Sequence, residues 1–341
     1  MKKIISLLMI LLLVGCSNNN VIPVDYNINK NYYDVYENYK SSIDNNYIVN
    51  NINSKYDLEE VELGLMRMAS KYFSSNKYYY QSGQYINRDK MKELLEILNS
   101  NNPEKIDNVN IIPKYISYIY EQNYLNNAGQ TTGIALAIVL NPYQSYSNNG
   151  ITKYVKQDEK KVINYGKKKA QLLLDELKKI NDLKNKEIII ALYIQNSVDS
   201  IIPGNYRYEA KTSDFKIDDF NEINEKYYLL PSEDIMKTDE DLYTSYINIE
   251  NKIITLLSDY TAIIGKALYI NNECREININ IHINSAHKGD ILAVSQGVAK
   301  EIVNNFDARI YTQVNIESNS EIEALIVRTT SSFNPKIYIL D

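Results

Sequence analysis

Two histidines, two cysteines and no tryptophan serve a chain of 341 residues. So few imidazoles leave little for metal binding or base catalysis. His282 and His287 lack a spacing such as H-E-x-x-H, and no cysteine pair accompanies them, so no metal site is expected. His282 is expected on a solvated sheet face and His287 near a helix start. Cys274, between Glu273 and Arg275, reads as an incidental thiol rather than a nucleophile. Glycine is scarce, with eleven in all. Gly64 and Gly166 sit singly inside helical patterns, so there is no glycine-rich phosphate loop and no cofactor is expected. Basic residues are outnumbered, 37 against 43. An acidic chain lacks the positive footprint that nucleic acid requires.

A long apolar run is also missing. Ile4 to Val14 is apolar apart from Ser6, and as a helix it spans only about 16 Å against a hydrocarbon core of about 30 Å. After Lys2 and Lys3 this is a signal-peptide pattern rather than a membrane span. It ends Leu13-Val14-Gly15-Cys16, the lipobox pattern of bacterial lipoproteins, in which the thiol is acylated and cleavage falls before the cysteine. The expected product is anchored to the membrane through lipid on Cys16 and faces the outside of the cytoplasmic membrane, with two or three acyl chains giving stable attachment. Loss of Lys2 and Lys3 from the 37 basic residues leaves a formal charge of −8. With Cys16 acylated, no intrachain disulfide can form, so stability has to come from a packed core.

The expected organisation is a leader (1–15), an Asn- and Tyr-rich tether (16–55) and two α/β repeats (56–215 and 216–341). In the first repeat, DLEEVELGLMRMASKYF places Leu58, Val61, Leu65, Met68 and Tyr72 at helical spacing, with acids in the first turn. KYYYQSGQYIN reads as a hairpin around Ser82-Gly83, and RDKMKELLEILN as a short helix. GIALAIVLN and EIIIALYIQN are buried strands flanking the helix EKKVINYGKKKAQLLLDELKKIN, a right-handed βαβ unit. In the second repeat, Thr238 is the expected N-cap of a long helix, followed by the strand TAIIGKALYIN. REININIHIN alternates strictly, with Ile277, Ile279, Ile281 and Ile283 on one face. The helix DILAVSQGVAKEIVNNF and the strands ARIYTQVNIES and EALIVRTT complete it. The fold class is therefore α/β, or α+β, in two tandem similar repeats, each a mixed sheet with crossover helices.

YDLEEVELGLMRMASKYFSSNKYYYQSGQYI, IIPGNYRYEAK, INEKYYLLPSED and EALIVRTT resemble the ordered blocks of the CamS family. The resemblance runs from about Tyr56 to the C-terminus. It implies a Gram-positive lipoprotein, an extracytoplasmic location, a duplicated α/β domain and a sex-pheromone peptide cut from the leader just before the acylated cysteine. It assigns no activity to the folded domain. The name-giving peptide of the family is an apolar heptamer with Phe and Ala, whereas Met9-Ile10-Leu11-Leu12-Leu13-Val14-Gly15 stands here.

Motifs for catalysis are thin. Ser74–Lys77, Ser213–Lys216 and Ser285–Lys288 match Ser-x-x-Lys, but Lys-Thr-Gly and Ser-Asp-Asn are absent. Lys160, Lys161, Lys167, Lys168 and Lys169 read as a solvated helix face rather than a phosphate site. Gln81, Gln84 and Tyr85, with Asn205 and Tyr206 of the turn Pro203–Tyr206, are polar-aromatic stretches suited to ligand recognition. The expected function is a non-enzymatic lipoprotein whose leader is a peptide precursor and whose domain binds an extracellular peptide, sugar or protein. The alternative is a cell-envelope hydrolase with an unrecognised active site, a reading that a buried, strongly shifted carboxylate pair in a cleft would favour.

Overall fold

The computed structural model describes residues 33–43, 47–48, 53–100, 103–106, 108–256, 260–284 and 287–340. The leader, Cys16, the tether up to residue 32 and Ser285 lie outside the described residues.

The first part of the chain contains α1 (Leu58–Ala69), β1 (Tyr79–Ser82), α2 (Arg88–Asn99), β2 (Glu104–Ile106), β3 (Val109–Ile111), β4 (Ile116–Leu125), β5 (Thr131–Leu140), β6 (Tyr143–Asn148), β7 (Ile151–Lys156), α3 (Glu159–Leu177), β8 (Glu187–Ile194), β9 (Asn205–Ser213), β10 (Lys216–Ile217) and β11 (Asn221–Glu222). The main sheet has the order β1-β4-β5-β8-β9-β10, with β11 beside β9. β5 and β8 are parallel, from Gly133↔Glu187 to Leu140↔Ile194, and α3 makes the expected crossover. Both strands are near-continuous apolar runs because both faces are covered. On one face α1 packs Val61, Leu65 and Met68 inward, and on the other lie α2 and α3 with Leu94, Leu98, Leu173 and Leu177 buried. Asn87 caps α2, its Oδ1 accepting from Lys90 N at 2.9 Å, which stabilises the start of the helix.

The second part contains β12 (Glu225–Leu230), α4 (Glu233–Thr238), α5 (Glu240–Leu256), β13 (Tyr260–Ile270), β14 (Glu273–Ile283), α6 (Lys288–Asn305), β15 (Tyr311–Ser318), β16 (Glu321–Arg328) and β17 (Lys336–Ile339). They form the sheet β12-β13-β14-β15-β16-β17. Asn271 and Asn272 turn β13 into β14, both at positive φ, as a tight two-residue turn requires. β14 and β15 are parallel across α6. Ile277, Ile279, Ile281 and Ile283 are all buried, as the alternation predicts. Strand, strand, crossover helix, strand, strand thus occurs as β4-β5-α3-β8-β9 and again as β13-β14-α6-β15-β16. The class is mixed α+β, with parallel and antiparallel pairs in both large sheets.

Several expectations differ from what is found. No hairpin forms at Ser82-Gly83: β1 pairs with β4 rather than with a strand that follows it, and the next backbone amides, of Gln84, Tyr85 and Ile86, bond to a buried carboxylate. Thr238 ends α4 and its hydroxyl donates to Asp234 O; Asp239, whose Oδ1 accepts from Leu242 N at 2.9 Å, starts α5. A β6–β7 ribbon is inserted after β5. Residues 33–43, read as tether, lie against the first sheet. Two compact units divide the described residues into 33–229 with 266–275, and 230–265 with 276–340.

Candidate functional site

β1 is the outermost strand of the first sheet. Its inner edge pairs with β4 through Tyr79↔Leu125, Tyr80↔Tyr124, Gln81↔Asn123 and Ser82↔Gln122. Along its outer edge runs the chain's own segment 33–43. Tyr80 N donates to Asp34 O at 2.8 Å, and Val35 forms a parallel bridge with Tyr80. Gln81 then grips one peptide residue twice: its Oε1 accepts from Lys40 N at 3.1 Å, and its Nε2 donates to Lys40 O. Gln84 Nε2 donates to Ser41 O at 2.9 Å, and the Tyr39 and Ser82 hydroxyls bond to each other.

Three tyrosines spaced by three residues fix the segment. Tyr33 is buried, its hydroxyl donates to Phe73 O, and its ring centroid is 5.2 Å from that of Tyr124. Burial pushes the Tyr33 phenol up to about 12. Tyr36 meets Tyr79 edge-on at 5.5 Å and fills the space beside Gly129, where a Cβ would come within 2.5 Å of its ring. Tyr39 bonds Ser82, as above. The remainder is open: Asp34, Val35 and residues 37–42 are exposed.

Beneath this edge lies Glu121 of β4, only 2% exposed. Gln84 N donates to its Oε1 at 3.0 Å, Tyr85 N to Oε1 at 3.2 Å and Oε2 at 3.1 Å, and Ile86 N to Oε2 at 2.9 Å. Gly83 permits this turn, since a Cβ there would come within 2.9 Å of Glu121 Cβ. Burial raises the Glu121 carboxyl above its ordinary range, while the backbone N–H groups and Asn123 pull it back. Tyr85, Ile86 and Glu121 also border a crevice of about 190 Å³ lined by Ile134, Leu136, Leu177, Leu183 and Ile188. That figure includes open solvent, and the crevice leaves no room for the centre of even a water-sized sphere, so it is too tight for a small-molecule ligand.

Asn205 and Tyr206 lie elsewhere. From β1 to β9 there are four inter-strand steps, about 19 Å at ~4.8 Å each, so the two groups do not share a groove. Tyr206 is fully buried, donates to Val61 O at 2.6 Å and packs on Gly64 of α1. Asn205 Oδ1 accepts from Tyr227 N at 3.1 Å. Beside them Arg67 makes two bonds to Glu225, at 3.2 and 2.9 Å, and one to Glu60 at 3.1 Å, and Tyr227 donates to Glu60 at 2.6 Å. Burial raises the Glu60 carboxyl, and Arg67 and Tyr227 oppose this. These carboxylates are committed to an ion-pair network that fastens α1 to the chain around β12.

The remaining motifs are dispersed. Ser74 and Lys77 form a turn, with Lys77 N on Ser74 O at 2.9 Å. Ser213 and Lys216 face each other across a hairpin. His282 Nδ1 lies 3.1 Å from Glu317 Oε2 on the polar face of the second sheet, and His287 precedes α6. Cys274 is half-buried at the start of β14. Lys161 pairs with Glu104 at 2.6 Å, and Lys167 Nζ sits 3.3 Å from the centre of the Tyr208 ring. Among the described residues, no group of three His, Cys, Asp or Glu side chains could hold a metal ion, and no helix is long and apolar enough to cross a membrane.

The family model "CamS sex pheromone cAM373 precursor" matches residues 39–333. The chain belongs to the CamS family. The C-terminal domain of the sex pheromone staph-cAM373 precursor from Staphylococcus aureus is similar in structure, with TM-score 0.73 and 26% identity over 84% of this chain and 97% of that one. The sex pheromone precursor from Lactobacillus salivarius subsp. salivarius UCC118 shares the fold at TM-score 0.79, with 22% identity over 94% of this chain and 99% of that one. No curated protein matches this chain. The CamS match begins at residue 39, so Tyr33 and Tyr36 precede it.

The sequence marks Gln81, Gln84 and Tyr85 as polar-aromatic, but it does not show that Gln81 and Gln84 bond to the chain's own Lys40 and Ser41. The available signal was YYDVYENY, whose tyrosines recur every three residues, a spacing that fits neither a tether nor a strand. Glu121 was missed because the polar triplet Glu-Gln-Asn interrupts the apolar pattern of β4.

Proposed function

We propose that this CamS chain is exported, acylated at Cys16 and held on the extracellular face of the cytoplasmic membrane. Its leader is the source of a short apolar peptide, and its folded domain is a non-enzymatic module that binds a peptide, sugar or protein partner. The observation that carries the reading is the family match together with Leu13-Val14-Gly15-Cys16, which puts the cysteine where acylation and cleavage occur in lipoproteins. The distribution of buried acids also supports a binding role. Glu121 is spent on three backbone amides and Glu60 on Arg67 and Tyr227, so each has a structural duty that competes with acid–base catalysis. The glutamine-rich edge of β1, already bonded to Asp34, Lys40 and Ser41 of the chain's own segment, is the surface best equipped for recognition.

Peptide mass spectrometry of medium from producing cells tests the precursor role. A defined peptide ending at Gly15, such as Met9–Gly15, is expected from the wild type and lost from Cys16→Ala. Heterogeneous leader fragments that are unchanged in the variant would contradict it.

A further inference from the structure

We infer that the outer edge of β1 is a binding site for peptides that carry aromatic side chains at positions i and i+3 and turn after the second, and that residues 33–43 occupy it in cis as an exchangeable strap. The inference rests on reading the folded domain as a binding module, and it names that module's site and ligand class.

The contacts are those of a recognition site more than of a structural strand. Strands normally join through a continuous ladder of backbone bonds. Here the strap has one bridge, at Val35, and then a turn at Glu37–Asn38. Beyond the turn, side-chain carboxamides take over. Gln81 offers an acceptor and a donor to the N–H and C=O of Lys40, and Gln84 offers a donor to the next carbonyl. These groups read peptide backbone whatever its side chains, as strand-addition sites do. Selectivity comes from two aromatic seats, one formed by Phe73 and Tyr124 for Tyr33, the other by Tyr79 and Gly129 for Tyr36.

The strap is lightly held. Tyr33 is its one buried anchor, and most of the rest is exposed. β1 does not depend on it, because its inner edge is paired over four residues with β4 and the turn that follows is fastened to Glu121. Segments with few buried contacts open at low free-energy cost. When the strap lifts, it leaves an edge strand with the Tyr80 N–H, two carboxamides and two ring seats facing outward. A competing peptide gains those contacts only to the extent that the cis strap lets go, which lowers its apparent affinity by the closed fraction.

The test uses the full chain and a dye-labelled peptide of the strap sequence, Tyr-Asp-Val-Tyr-Glu-Asn-Tyr-Lys-Ser-Ser-Ile, with binding read by fluorescence anisotropy. Tyr33→Ala with Tyr36→Ala in the chain weakens the cis strap and is expected to tighten peptide binding at least tenfold over wild type. Adding Gln81→Ala should cancel that gain, and a peptide with both corresponding tyrosines replaced by alanine should not bind. A folded double variant that binds no better than wild type, or binding indifferent to Gln81, overturns the inference. It would leave lipid anchoring and partner binding elsewhere on the domain untouched. Hydrogen exchange on the unaltered chain gives a second readout that does not rely on the variants folding. Excess peptide should deprotect the N–H of Lys40 and that of Ile43, which donates to Gly83 O at 3.4 Å, while Tyr80 N–H stays protected. Unchanged protection together with no peptide binding overturns it.

Discussion

Glu121 concentrates the local logic of the first unit in one side chain. A carboxylate taken out of water is costly unless hydrogen bonds replace those it loses, and three consecutive backbone N–H groups do so here. Glu121→Ala would strand those amides, and at about 1 kcal/mol or more for each the expected loss is about 3 kcal/mol, measurable by urea denaturation. The pH dependence runs opposite to that of a surface acid. Because its folded pKa is raised by burial, the native state holds the proton more tightly than the unfolded chain. The stability contribution is therefore full below the unfolded value and is lost as pH rises through the folded one. Wild type should gain on Glu121→Gln as pH falls from neutral towards the ordinary carboxylate range. A difference that shrinks on acidification would refute this account of Glu121. None of this was legible beforehand, since burial of Glu121 depends on amides that lie 35 to 37 residues away.

The elements with strong internal periodicity were read correctly. RDKMKELLEILN forms α2 over Arg88–Asn99, and REININIHIN buries its isoleucines in β14. In both cases the local pattern and the tertiary environment demand the same thing. The failures occur where tertiary partners override local signals. Ser82-Gly83 looks like a turn between strands, yet the second strand is forgone for the carboxylate cradle. Thr238 is a good capping residue, but Asp239 lies next to it and takes the role. Helix packing supplies another test. Gly64 lets α1 approach Tyr206, where an added Cβ would meet the ring at 2.6 Å. Gly64→Ala gains about 1 kcal/mol of helix propensity, but overpacking costs about 1–3 kcal/mol. We expect a net loss in thermal stability, and a stabilised variant would contradict the tight fit.

At the scale of the molecule, the recurrence of β4-β5-α3-β8-β9 as β13-β14-α6-β15-β16 follows from two sequence blocks with the same alternation of apolar strands and amphipathic helices. The partition between compact units was not readable, because the hairpin tip 266–275 goes with residues earlier in the chain, and no composition change marks that. Nor was the strap, whose tyrosines are anchored by residues from Phe73 to Gly129. The proposed function rests at this scale on acylation of Cys16. The most direct measurement is mass spectrometry of the mature N-terminal peptide from the membrane fraction of producing cells. The account predicts a peptide beginning at Cys16 that carries a diacylglyceryl group. A chain still beginning at Met1, or an unmodified Cys16 recovered from the soluble fraction, would contradict it.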